Sequence, residues 1–253
     1  MTPLWKPMPY YVMRDCNALK NIKKNKISTG VAALKIFILI CLKSEVDDQG
    51  GYSASITYDQ FSQLCSLSRK LISEGLRFLE SVKVIKTIGD RKKRYMLLNC
   101  KREDKKLSLA PFHISNGHWC KLPYKGLVDE NSRITAFESM SNRSVVELNS
   151  LKIYLYLLMV RSSGKAYSTV TLKTIKEKLK LTYHEIMVAI AFLNSVGLLE
   201  KVNVGSNSVG NYDERFAIKF LVSGWESLEW KPRYFSKEID NQKWKEELLG
   251  DLF

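Results

Sequence analysis

The chain has 253 residues, 45% of them hydrophobic, which suffices for one large domain or for two smaller ones with cores of their own. Its formal net charge is +14, and the excess is uneven: residues 1–110 hold 21 lysines and arginines against 10 acidic residues, whereas residues 111–253 hold 19 against 16. This composition excludes an intrinsically disordered chain and favours a polyanionic partner, most commonly nucleic acid.

The cysteines and the apolar runs indicate the compartment. Five cysteines are scattered along the chain without a C-x-x-C pair, as expected in a reducing environment rather than in a disulfide framework. The N-terminus lacks the layout of a secretory signal, and the longest apolar runs, residues 31–42 and 151–160, are each interrupted by a lysine and shorter than a membrane span. We therefore expect a soluble cytoplasmic protein without a membrane partner.

The chain begins with a predicted basic arm, residues 1–27, in which lysines recur between positions 20 and 26. A buried helix is predicted over residues 28–44, because most of its positions are apolar. A short β-type run follows at residues 52–56, and Thr57 is placed to cap a second helix of about two turns.

The stretch from residue 66 to residue 99 contains the most informative pattern of the chain, a capped amphipathic helix followed by two β-type runs. Ser68 is placed to cap a helix in which apolar residues recur about every 3.6 positions, as expected of one buried face. That face comprises Leu71, Ile72, Gly75, Leu76 and Leu79, and the outer face comprises Arg69, Lys70, Ser73, Glu74 and Arg77.

Two β-type runs follow this helix, residues 82–88 and 95–98, and the hexapeptide G-D-R-K-K-R that joins them suits a hairpin turn with four cations at its tip. A helix with a basic outer face followed by a basic hairpin is the layout of a winged helix, whose helix enters a major groove while the hairpin reaches the phosphate backbone. The alternative is a solvated amphipathic helix with a solvated hairpin tip. The candidate DNA-binding residues are Ser68, Arg69, Lys70, Ser73, Arg77, Arg91, Lys92, Lys93 and Arg94, with Lys23 and Lys24 of the arm.

An internal repeat becomes visible when the chain is shifted by 114 residues. The motif W-x-x-x-P-Y at residues 5–10 then matches residues 119–124, and many apolar positions coincide, while the long helices match at a shift of 117. We interpret the chain as two copies of one unit joined by a polar linker around residues 101–106. The predicted fold is α+β and mostly helical, with an arm at 1–27, winged-helix domains at 28–100 and 145–222, a linker and repeat start at 101–144, and a helical tail at 223–253.

The two copies differ on the outer face of the helix that would read bases. In the second copy the matching positions are mostly apolar, and an exposed apolar face usually marks a contact with protein. We therefore predict that the first copy binds DNA and that the second pairs with another chain, as a homodimer or with a different protein, or packs on its own chain. The alternative is backbone contact with DNA through Lys173, Lys176 and Lys180. The candidate interface residues are Tyr183, Met187, Val188 and Ala191.

The tail is acidic and aromatic and ends with Asp251, Leu252 and Phe253. This ending resembles part of the short motif by which bacterial replication proteins dock on the sliding clamp. Leu252 and Phe253 are therefore candidate contacts with the replication machinery, and the alternative is a terminal helix docked on its own domain through Trp244.

Catalytic and metal chemistry finds little support in the sequence. His113, His118 and Cys120 match no zinc spacing and lack a fourth ligand, and the chain has no phosphate-cradling glycine loop. With three histidines in the chain, general-base catalysis has few candidates. We expect a protein without enzymatic activity, cofactor or metal.

The duplicated helix–helix–hairpin unit resembles the architecture of tandem winged-helix proteins, among them plasmid and phage replication initiators. That resemblance implies sequence-specific binding of double-stranded DNA at repeated origin sites and recruitment of host replication proteins. Two alternatives remain open: a transcriptional regulator with the same fold, and a non-catalytic adaptor that uses its winged helices to bind proteins.

Overall fold

The computed structural model describes residues 3–22, 26–103, 106–130, 132–162, 164–204 and 217–225. Within these residues the chain is an α+β protein, and every strand pair is antiparallel. The predicted α+β class, with helix as the larger part, is therefore confirmed.

A leading segment precedes the first long helix. It contains strand β1 (Trp5–Pro9), a π-helix (Tyr11–Asp15) and helix α1 (Ala18–Asn21). The sequence predicts a basic arm here, but the structure buries Met8 and Leu19 in the core. The prediction followed the charge of the lysine run, whereas these apolar side chains find partners that only the folded chain supplies.

Unit 1, residues 27–103, follows the predicted order of helix, strand, helix, helix and hairpin. Its last strand lies between the two strands that precede it, and a two-residue strand extends the sheet at one edge. The elements are α2 (Ile27–Lys43), β2 (Glu45–Val46), β3 (Tyr52–Ser55), α3 (Tyr58–Cys65), α4 (Arg69–Ser81), β4 (Ile85–Ile88) and β5 (Arg94–Glu103).

Local signals set the helix ends in unit 1. Thr57 and Gln60 form a capping box at the start of α3, and the Ser68 hydroxyl accepts a hydrogen bond from the first turn of α4, as predicted. Between the two helices Ser66 takes a left-handed conformation, with φ of 52°, which ends α3. Gly75 lets α4 approach α2, because a Cβ there would lie about 3.1 Å from the α2 backbone.

The segment between the units is built of short elements. Strand β6 (Lys106–Pro111) pairs with β5, a 3-10 helix (Ile114–Asn116) follows, and then come β7 (Trp119–Pro123) and α5 (Thr135–Glu138). The sequence predicts a polar linker around residues 101–106, but β5 extends into this stretch to Glu103 and β6 begins at Lys106. A polar composition suits paired strands at a surface as well as a linker, so composition alone does not distinguish the two.

Unit 2, residues 145–222, repeats the element order of unit 1. Its three strands have the same spatial order, with the last strand in the middle. The elements are α6 (Val145–Val160), β8 (Tyr167–Thr171), α7 (Leu172–Leu179), α8 (Tyr183–Ser195), β9 (Leu199–Val204) and β10 (Ala217–Val222).

The caps of the two shorter helices of unit 2 stand 114 residues after those of unit 1. Thr171 caps α7, Thr182 caps α8, and Lys180 takes the left-handed conformation between them, with φ of 57°. The shared offset of the sequence therefore extends to the residues that start and end the helices. The counterparts in unit 1 are Thr57, Ser68 and Ser66.

The segment between the units also precedes the long helix of unit 2 and is therefore the leading segment of that unit. The two leading segments pair with each other. Strand β1 runs antiparallel to β7, with Trp5 opposite Pro123 and Pro9 opposite Trp119. Because these are matching positions of the repeat, the register is symmetric about its centre. The two tryptophan rings stack with centroids 5.7 Å apart and planes 20° apart.

Two buried lysines join the units at matching places in the long helices. Lys35 of α2 is fully buried, and its ammonium donates to the carbonyl of Phe137 at 2.8 Å. Lys152 of α6 is 2% exposed and donates to the carbonyl of Ile22 at 2.9 Å. Each cation therefore holds the leading segment of the other unit.

Lys35 predicts a pH dependence of stability. Burial lowers its pKa to about 8, although Cys65 and Glu147 act in the opposite sense, whereas an unfolded lysine titrates at about 10.4. Below about pH 8 the ammonium is charged in both states, so the burial cost is fully present; it is relieved as pH rises towards 10.4. Over this pH range the free energy of unfolding should therefore rise by about 2–3 kcal/mol more for the wild type than for Lys35→Met.

Urea denaturation of both proteins, from neutral pH to about pH 10.5, measures this difference. Comparing two proteins at each pH cancels the opposing titration of Cys41 and Cys120, whose pKa values burial raises in both proteins. Lys70→Met removes an exposed cation from α4 and controls for the change in net charge. Parallel stability curves for the wild type and Lys35→Met would contradict the prediction.

Candidate nucleic-acid interface

The outer face of α4 presents cations to solvent. Arg69, Lys70 and Arg77 are exposed, while Ser73 and Glu74 are half-buried. The opposite face packs into the core, as the periodicity predicts, with Ile72, Gly75, Leu76 and Leu79 buried and Leu71 half-buried.

The contacts of these side chains leave the cations available. Arg69 forms an ion pair with Asp59 at 2.7 Å, but both side chains are more than 70% exposed, so the pair contributes less than about 1 kcal/mol and can rearrange. Arg77 donates to the Ser73 hydroxyl at 3.2 Å. The acidic side chain of this face, Glu74, accepts a hydrogen bond from Thr29 of α2 at 2.9 Å.

The hairpin between β4 and β5 carries the second group of cations. Ile88 pairs with Arg94 across the ladder, and Arg91, Lys92, Lys93 and Arg94 are all exposed. Gly89 starts the connection with φ of +82°, and a Cβ there would lie 2.7 Å from the carbonyl oxygen of Lys92. A glycine is therefore required at this position of the turn.

Helix and hairpin are joined on one side of unit 1. The Glu80 carboxylate of α4 accepts a hydrogen bond from the backbone N–H of Thr87 in β4 at 3.2 Å. Ser73, Arg77 and Lys93 line one open groove of about 310 Å³ between the helix and the hairpin. The structure thus brings these three predicted residues together, whereas Arg69 lies at the start of α4 beside Asp59.

Two further cations flank α4 that sequence reasoning missed. Lys26 and Arg143 are exposed and line a second open groove, of about 950 Å³, together with Arg77. Lys26 belongs to the lysine run that the sequence displays, so its charge was a usable signal. Arg143 stands 66 residues after Arg77 in the chain, and no local pattern links it to this face.

In unit 2 the matching helix presents a mixed face. Met187 is 52% exposed and Ala191 is exposed, whereas Val188 and Tyr183 are half-buried. The Lys176 ammonium lies 4.2 Å from the centre of the Tyr183 ring, so a cation covers part of the predicted apolar surface.

Four predicted site residues lie outside the described residues. They are Lys23 and Lys24 of the leading segment and Leu252 and Phe253 at the C-terminus. The hairpin between β9 and β10 of unit 2 also lies outside them.

His118, one of the three residues of the candidate metal site, packs against aromatic rings. The His118 ring packs edge-on against Tyr10 and Tyr11, with centroids 6.1 and 5.3 Å away. Across the part of the chain that the structure describes, no three His, Cys, Asp or Glu side chains are grouped to hold a metal ion. Over the same residues, each helix is too short or too polar to cross a membrane.

Compared with known proteins, the chain matches no protein-family model and no curated relative.

Replacing Gly89 tests how the hairpin is built. Gly89→Ala places a methyl group against the Lys92 carbonyl in a backbone region that disfavours alanine, so the hairpin should lose about 1–2 kcal/mol of local stability. Native-state hydrogen exchange at Ile88 and Arg94 measures the loss. Asp90→Ala, one residue further along the same tip, serves as the control. Equal exchange in the two variants would contradict the assignment of the turn.

Proposed function

We propose that the chain binds double-stranded DNA sequence-specifically through unit 1, and that both units are winged helices. The proposal is supported by the element order of helix, strand, helix, helix and hairpin in each unit, with the last strand in the middle of the sheet. The same order occurs twice, at residues 27–103 and 145–222, with helix caps at matching positions.

The observation that carries the proposal is the joining of two exposed cationic groups on one side of unit 1. Arg77 of α4 and Lys93 of the hairpin line one groove, and the Glu80–Thr87 hydrogen bond fixes the hairpin to the helix. A helix fits the width of a major groove, about 12 Å, and a rigidly attached basic hairpin can reach the neighbouring backbone.

The two groups of cations have different proposed roles. Arg69, Lys70, Ser73 and Arg77 face base edges, where an arginine can bind guanine through two hydrogen bonds. Ser68 caps the N-terminus of this helix, which is where base-reading residues and phosphate contacts concentrate. The cations of residues 91–94 contact phosphates, with Lys26 and Arg143 on the other side of α4.

The proposed biological role is that of a plasmid- or phage-type replication initiator. Its support is the presence of two units of the same topology in one chain, which is the architecture that the sequence resemblance to such initiators implies. A DNA fragment carrying the gene and the DNA that flanks it should then replicate autonomously in a host. Repression of a neighbouring promoter without replication would identify a transcriptional regulator instead.

Substitutions in unit 1 separate base reading from backbone binding. Arg77→Ala should weaken binding to the cognate duplex by about 1–3 kcal/mol and relax specificity. Lys92→Ala should weaken binding to all duplexes alike and lower the salt slope by about one. Fluorescence anisotropy with a duplex selected from a random library, and with a random duplex, measures both effects.

A matched pair of variants provides the control. Lys70 of α4 corresponds to His184 of α8, and both side chains are exposed. Lys70→Ala should reduce affinity and His184→Ala should leave it unchanged. If none of the unit 1 variants altered DNA binding, the proposed function would be wrong.

A protein-binding role for unit 2 is favoured by Met187, which is 52% exposed on α8. Met187→Asp should shift the chain towards smaller species in sedimentation velocity, because a buried carboxylate opposes association. Thr169→Asp places the same charge at an exposed position of β8 and should not change the distribution. An unchanged distribution in Met187→Asp would exclude this face as a self-association surface.

A further inference from the structure

The turn that joins α3 to α4 is held by side chains from outside those helices. The Lys35 ammonium donates to the carbonyl of Cys65 at 3.2 Å, and the Asn142 side-chain amide donates to the carbonyl of Ser66 at 2.8 Å. The Lys35–Cys65 hydrogen bond is buried, so water does not compete freely for the Cys65 carbonyl, and the Asn142–Ser66 hydrogen bond is partly buried beneath the exposed Ser66. These two side chains therefore hold the backbone that leads into the start of α4.

Both contacts lead to the segment that precedes unit 2. Lys35 also donates to the carbonyl of Phe137 in α5, at 2.8 Å, and its ammonium lies 5.2 Å from the centre of the Phe137 ring. Asn142 itself belongs to the turn between α5 and α6. The Lys35 ammonium thus connects a carbonyl of unit 1 with a carbonyl of the unit 2 leading segment.

The turn that carries Asn142 is itself fixed by α6. The buried Glu147 carboxylate accepts hydrogen bonds from the backbone N–H groups of Ser141, Arg143 and Ser144. Asn142 lies within this loop and takes a left-handed conformation, with φ of 65°. The first turn of α6 therefore sets the position of the amide that binds Ser66.

We propose that Lys35 and Asn142 are positioning residues through which unit 2 sets the orientation of α4 for base reading. The inference rests on the proposed function of unit 1 and names the two side chains that set the orientation of its base-reading helix. Base contacts of α4 require the helix to keep one orientation, whereas phosphate contacts of the hairpin tolerate small rotations. Loss of either positioning residue reduces discrimination between duplexes and leaves nonspecific binding largely unchanged.

The repeat offers a matched control. Lys152 occupies the place of Lys35 in α6 and donates to the carbonyl of Ile22 in the other leading segment. Lys152→Met thus removes a buried ammonium between the units, as Lys35→Met does, and the hydrogen bond that it removes goes to Ile22, whereas that of Lys35 goes to Cys65 at the α3–α4 turn. The amides of Lys180 and Leu181 in unit 2 correspond to those of Ser66 and Leu67 in unit 1.

Hydrogen exchange of the full chain, followed amide by amide, tests the positioning without DNA. Lys35→Met and Asn142→Ala should accelerate exchange at Ser66 and Leu67 at least about tenfold and leave Lys180 and Leu181 unchanged. Lys152→Met should not accelerate exchange at Ser66 and Leu67. Unchanged exchange at these two amides, or equal acceleration at both turns, overturns the inference. Asn142→Ala keeps the test valid if Lys35→Met does not fold.

DNA binding by the same variants tests the consequence. At a temperature where each variant is folded, Lys35→Met and Asn142→Ala should lower the ratio of cognate to random affinity at least about fivefold, with the salt slope unchanged. Lys152→Met should keep the wild-type ratio. Faster exchange at the turn with an unchanged ratio overturns the positioning role. A wild type without salt-dependent DNA affinity defeats the proposed function, while the exchange experiment still decides whether unit 2 holds the turn.

Discussion

The antiparallel pairing of β1 with β7 is the contact on which the arrangement of the two units depends. These strands occupy matching places in the repeat, and their symmetric register brings Trp5 and Trp119 into a stack. Each strand leads into a segment whose carbonyl meets a buried lysine of the other unit, at Ile22 and at Phe137. The core is therefore one cluster that includes residues of both leading segments and both units.

Buried ammonium groups constrain this arrangement more than apolar side chains would. A methionine in place of Lys35 could fill the same space in several ways, whereas an ammonium in a dry core has to keep its carbonyl acceptors. Lys35 keeps two of them, the carbonyls of Cys65 and Phe137, and they belong to different parts of the chain. The cost of burying the charge is thus linked to one relative position of unit 1 and the segment preceding unit 2.

The two units share one topology but differ on the outer face of one helix, α4 in unit 1 and α8 in unit 2. The caps of α3 and α4 recur in α7 and α8, since each satisfies backbone groups that any such helix exposes. The outer face is free of that requirement, and Arg77 of α4 corresponds to Ala191 of α8. Under the proposed function, this difference assigns base reading to unit 1 and gives unit 2 the role of orienting α4.

The sequence by itself determined the elements whose signals are local. The cap at Ser68, the buried face of α4 and the hairpin after it depend on residues a few positions apart, and the structure has all three. Only the tertiary structure decided that the supposed arm packs into the core and that Arg143 and Asn142 lie beside unit 1. The hydrogen bond from Lys35 to Phe137 spans 102 residues, and no periodicity or spacing encodes a contact between segments so far apart. Such contacts are decided by which surfaces bury each other when the whole chain folds.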